Sequence, residues 1–79
     1  MPKLPQVSAR DTIKALNKIG FEEISQRGSH IKLRRLERSI TQIVIVPNHK
    51  VIKKGTLRNG ILKVIPLSVE EFINLMKKK

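Results

Sequence analysis

The sequence predicts an α+β domain in which helices cover one face of a three-stranded antiparallel sheet. Three observations carry this. Residues 8–19 repeat apolar side chains at helical spacing, residues 21–46 change to a period of two broken by short polar turns, and the chain beyond residue 55 returns to helical spacing. Strands this closely spaced form a meander, and helices gathered on one side of it leave the other side to solvent or to a ligand.

The first helix is expected over residues 8–19, "SARDTIKALNKI". Ser8 is its cap, Asp11 stands three residues later in a weak capping box, and Ala9, Ile13, Leu16 and Ile19 share one face. Gly20 supplies the stop. Residues 21–27, 29–36 and 40–46 then read as strands, with Gly28 and the stretch Glu37-Arg38-Ser39 as turns. Pro47 closes the third strand, and Val51 and Ile52 in the polar loop that follows are expected to pack back on the core. A second helix is expected from Thr56, with Leu57, Ile61 and Val64 or Ile65 inward, weakened by Gly60 and ended by Pro66. The last helix has a Ser68-x-x-Glu71 capping box and a Leu67–Phe72 staple, and it buries Val69, Phe72, Leu75 and Met76.

The 79 residues predict one domain with a modest core. With no cysteine, neither a disulfide nor a thiolate metal site supplements that core. The longest apolar run, Ile43 to Val46, is far too short to span a membrane, and the start of the chain has no apolar signal segment, so a soluble cytoplasmic protein is expected. Charge says more. Seventeen Lys and Arg against six Asp and Glu give a net charge of +11, which seeks a polyanion. The excess is concentrated in residues 27–58, where Arg27, Lys32, Arg34, Arg35, Arg38, Lys50, Lys53, Lys54 and Arg58 face one acid, Glu37. Solubility alone needs no such clustering, whereas a nucleic-acid surface does. The Lys77-Lys78-Lys79 tail reads as a solvated end.

Alternation along the second strand sends Ile31 and Leu33 to the core, and His30, Lys32 and Arg34 to the open face. His30 follows Gly28 and Ser29, and the residues alone leave it three readings: a surface residue, an RNA contact or a proton-transfer group. Metal-free RNA cleavage needs a base for the ribose 2′-hydroxyl and cations for the charge that builds on phosphate, and His30 beside Lys32 and Arg34 provides both. The six carboxylates and two histidines show no metal-ligand spacing, and no metal or cofactor is expected. There is no Trp or Tyr, Phe21 follows the helix stop, and Phe72 lies on a buried helical face, so stacking platforms for bases are missing. Recognition of phosphate and sugar by shape, on mRNA or a structured RNA, is what remains.

The stretches "LPQVSARDTIKALNKIGF", "GFEEISQRGSHIKLRR" and "IVIVPNHKVIKKGTLRNGILKVIPLSVEEFINLM" together closely resemble the HicA toxin family, the mRNA-cleaving half of HicA–HicB toxin-antitoxin pairs. The elements that carry the resemblance are Gly20-Phe21, Gln26 through Gly28-Ser29-His30, Val46-Pro47 with His49, and Gly55-Thr56-Leu57-Arg58 before Ile61-Leu62. The resemblance implies a double-stranded-RNA-binding-domain-like fold, α-β-β-β-α with an extra short C-terminal helix. It implies a metal-independent endoribonuclease with His30 as catalytic base or acid, and a HicB-like antitoxin as partner. His49 matches a second family histidine, either a loop residue bonding local backbone or a helper in acid-base chemistry. Ser29 either holds the turn or contacts a phosphate.

Gly28 is expected to allow a positive φ, and with Arg27, Lys32, Arg34, Lys50, Lys53, Lys54 and Arg58 to form the RNA surface. Lys53 and Lys54, just before a helix start at Thr56, would meet one phosphate together with free backbone amides. The rival reading is a non-catalytic RNA-binding module of the same fold. A purely protein-binding regulator fits the charge badly. Two departures from the family pattern, one residue more at Asn59-Gly60 and Pro66 in place of a common glycine, bear on the second helix and on any antitoxin contact there.

Overall fold

The computed structural model describes residues 4–65 and 67–77. Helix α1 (Ala9–Asn17) is followed by strands β1 (Glu22–Arg27), β2 (His30–Glu37) and β3 (Ile40–Pro47), a π-helix (Thr56–Leu62) and helix α2 (Val69–Lys77). The sheet is antiparallel in the order β1-β2-β3. This is the α+β, double-stranded-RNA-binding-domain-like architecture expected above. Among the described residues no helix is long and apolar enough to cross a membrane.

Both helix ends of α1 form as the residues dictate. The Ser8 hydroxyl accepts from the Asp11 backbone N–H at 3.1 Å. At the other end Gly20, with φ of +100°, donates to the Asn17 carbonyl while the Phe21 N–H donates to Leu16, which is a Schellman closure. In α2 the capping box is reciprocal: Glu71 N–H donates to Ser68 Oγ at 3.0 Å, and Ser68 N–H to Glu71 Oε1 at 3.2 Å.

The core lies between the sheet and the helical layer. Leu16, Phe21, Leu33, Val44, Val46, Ile52, Leu57, Ile61 and Phe72 are all buried there, and burial of each large apolar side chain stabilises the fold by about 1.5–3 kcal/mol. A bridge between Val7 and Ile52, with the Ile52 N–H donating to the Val7 carbonyl at 2.7 Å, staples the loop after β3 to the segment before α1. Two expectations need correction, and one choice is settled. Val51 stays exposed while Ile52 alone packs inward, because the bridge at Ile52 turns its neighbour out. Of the alternatives Val64 and Ile65, Ile65 is the buried one. Helical backbone begins before Thr56, with the Leu57 N–H donating to the Lys53 carbonyl at 3.0 Å. The expected role of Pro66 as helix stop falls outside the described residues.

The β2–β3 turn stores strain. Arg38 and Ser39 both have positive φ, +49° and +69°, the conformation a two-residue hairpin prefers but that side chains resist. Replacing Arg38→Asn together with Ser39→Gly is expected to stabilise the protein by roughly 1 kcal/mol. An unshifted urea midpoint would show the turn to be unstrained.

Candidate nucleic-acid interface

The open sheet face is built by register. His30 pairs with Arg27 on one side and Pro47 on the other, Lys32 with Ser25 and Ile45, and Arg34 with Glu22 and Ile43. Directly opposed residues of an antiparallel sheet project to the same face. His30, Arg27, Lys32 and Arg34 are therefore brought together on one surface, all exposed, with Ile31 and Leu33 buried behind them. A shallow depression there is lined by Ser25, Gln26, Arg27, His30, Lys32 and Ile45.

A β-bulge makes Arg27 part of this group. Strict alternation from buried Phe21 would send Ser25 and Arg27 to the helix side. The register shift between Glu23 and Ser25 inserts Ile24 as an extra residue and reverses the phase, so Ser25 and Arg27 turn outward and Glu23 and Gln26 turn toward α1.

The Gly28-Ser29 turn presents His30. Only Gly28 of the two has positive φ, +59°, the pattern of a type II′ turn. A Cβ there would meet nothing within 4 Å, so glycine is required by conformation and not by space. Gln26 Nε2 donates to the Gly28 carbonyl at 3.2 Å, a brace that the residue types gave no reason to expect. Ser29 is the second central residue of that turn and so lies outside the strand, and its carbonyl accepts from the Asn48 N–H at 2.6 Å, which joins the hairpin to the loop after β3.

That same bond carries the second histidine to the His30 end of the sheet. His49 follows Asn48; its N–H donates to the Pro47 carbonyl at 2.9 Å, and its carbonyl accepts from Ala9 at 3.0 Å. Its side chain is exposed. Since backbone atoms make both bonds, His49→Ala is expected to change stability by less than about 0.5 kcal/mol. A thermal melt checks this, and a fall in RNA cleavage by a variant that melts normally would then report the imidazole alone.

The remaining cations fall into two groups. Lys50, Lys53, Lys54 and Arg58 are exposed on the connection and the π-helix, off the sheet. The backbone amides near Lys53 and Lys54 are not those of a helix start at Thr56, since helical bonding already runs from Lys53. Arg35, by contrast, is withdrawn from solvent. Its guanidinium lies 4.8 Å from the Phe21 ring centre, donates to Ile19 O and Gln42 Oε1, and pairs with Glu37 at 3.1 Å. This is the one ion pair among the described residues, so the cations around His30 are unpaired. Among the described residues no group of three His, Cys, Asp or Glu side chains is placed to hold a metal ion.

Fold and face together define a small α+β domain with a double-stranded-RNA-binding-domain-like fold and an exposed histidine among unpaired cations. The family model of the HicA toxin of bacterial toxin-antitoxin systems matches residues 9–65, and the chain belongs to that family. A search of curated proteins finds no match.

Proposed function

We propose that the protein is a toxin ribonuclease that cleaves mRNA in the cytoplasm without a metal ion and is held inactive by a HicB-like antitoxin. The observation that carries this reading is the placement of His30. In a chain of a toxin family, an exposed imidazole stands directly across from Arg27 and one sheet row from Lys32, in a depression open to solvent. His30 takes the proton from a ribose 2′-hydroxyl, the 2′-oxygen bonds to the adjacent phosphorus, and the bond from phosphorus to the 5′-oxygen breaks. Arg27, Lys32 and Arg34 stabilise the negative charge that gathers on the phosphate oxygens. The leaving 5′-oxygen takes a proton from imidazolium or water, and His49 is the second imidazole at this end of the sheet. Ser29 holds the turn through its carbonyl, while its hydroxyl is free to meet a phosphate oxygen. Lys50, Lys53, Lys54 and Arg58 extend the phosphate-binding surface beyond the sheet.

Incubating the toxin, freed of antitoxin, with RNA in a chelator-containing buffer tests the reading. Fragments with 2′,3′-cyclic phosphate ends are the expected product of 2′-oxygen attack. RNA bound but left whole would mark the protein as a non-catalytic RNA-binding module.

A further inference from the structure

We infer that the outer edge of β3 is a docking edge for a β-strand of the antitoxin, an acidic protein partner, which is seated there as a fourth strand of the sheet. The two edges of this sheet are built differently. β1 carries Glu22, Glu23 and Arg27 and is broken by the bulge at Ile24, all features that discourage pairing with another chain. β3 has none of these over residues 40–46, "ITQIVIV": no charge, no proline, no glycine, and an unbroken register with β2 from Ile40 to Pro47.

The backbone groups left open follow from the turn. A two-residue hairpin makes the flanking residues Glu37 and Ile40 exchange both ladder bonds, so Ile40, Gln42, Val44 and Val46 bond inward to β2. The Asn48–Ser29 bond keeps the same phase at the far end. Thr41, Ile43 and Ile45 therefore aim their N–H and C=O groups away from the sheet, and no described residue hydrogen-bonds to them. The side chains of these residues lie on the open face, where Ile43 and Ile45 are 44% and 40% exposed. A row of unmet peptide groups beside an apolar stripe matches a peptide strand. RNA has no amide ladder to offer, and aliphatic side chains give its bases no stacking surface.

Charge selects among peptide partners. Ile43 and Ile45 lie directly opposite Arg34 and Lys32, and neither cation is ion-paired. A strand added to β3 would carry its neighbouring carboxylates toward Lys32, Arg34 and His30. A second copy of a chain with net charge +11 would instead bring cations against cations. The inference rests on the antitoxin reading and adds to it the way the partner is held: anchored at the edge, with its acidic residues over the face.

The complex with the cognate HicB-like antitoxin provides the test. In amide hydrogen exchange, Thr41, Ile43 and Ile45 are expected to exchange fast in the free toxin and at least tenfold more slowly in the complex, while Gln42, Val44 and Val46 are slow in both. Ile43→Pro removes only an outward N–H, which an edge strand tolerates, and is expected to weaken antitoxin binding at least tenfold while leaving RNA cleavage by the free toxin unchanged. Should that variant unfold, Thr41→Pro poses the same question at the outward N–H nearer the end of the strand. Tight binding with fast exchange at all three amides would overturn the edge docking and leave the antitoxin reading intact. No binding by the wild-type chain would overturn both. Protection that grows with toxin concentration, without antitoxin, would make the edge a self-pairing surface and overturn the proposal.

Discussion

His30→Ala is expected to fold, to bind RNA and antitoxin nearly as the parent does, and to cleave RNA roughly 10²–10⁴-fold more slowly. The fold is spared because His30 is exposed and its side chain enters no hydrogen bond or ion pair among the described residues. Binding is spared because Arg27, Lys32 and Arg34 remain on the same face, and each neutralises phosphate independently of the ring. Chemistry is lost because no other imidazole occupies that row of the sheet. Single-turnover rates at saturating protein separate the two effects, since they read the chemical step with binding complete. His30→Ala cutting at the parent rate would show the Gly-Ser-His stretch to be a turn element and move the search for the base to His49.

RNA affinity is expected to fall steeply with salt and to depend little on sequence. Each phosphate neutralised on a single strand contributes a slope of about −0.7 to log K against log salt. Contact through Arg27, Lys32 and Arg34 alone would give a slope of roughly −2 and a loss of roughly 20-fold between 50 and 200 mM salt. Adding Lys50, Lys53, Lys54 and Arg58 would raise this to about −5 and a loss of roughly 1000-fold. The steeper value is expected, because the connection bearing the second group leaves the sheet at Pro47, the strand partner of His30. Lys53→Glu with Lys54→Glu should then weaken binding to many RNAs alike. A slope near −2 would confine the interface to the sheet face, and affinity indifferent to salt would remove phosphate contact from the account.

The parts of this fold legible in the sequence are those set by local rules. The Ser8 cap, the Gly20 stop, the Ser68–Glu71 box and the alternation of Ile31 and Leu33 against His30, Lys32 and Arg34 each depend on residues a few positions apart. What escaped depends on partners far along the chain. Arg35 counts as one more surface cation until Phe21, Ile19 and Gln42 are seen around it, although its position two residues beyond Leu33 on the core-side phase was a signal. The bulge at Ile24 has no signature in residue type, yet it decides that Arg27 joins His30. The Val7–Ile52 bridge joins two segments whose own patterns look like loop, and the depression beside His30 takes Ser25 and Ile45 from two other strands.

The π-helix spans Asn59-Gly60, the stretch where the sequence resemblance implies one residue more than the family pattern. In an α-helix one added residue turns everything after it by about 100°, which would swing an apolar stripe out of the core. The wider turn of a π-helix can take up such a surplus: the Lys63 N–H reaches back five residues to Arg58 O at 3.1 Å, and Leu67 likewise to Leu62 O at 2.9 Å. Leu57, Ile61, Leu62 and Ile65 are all buried, as is Phe72 beyond them. The segment works as a slack loop in a cable, where length can be taken in or let out without shifting what is moored at either end. In such a helix a change of chain length between the sheet and α2 becomes a change of helix type, and the histidine face lies on the other side of the sheet from it.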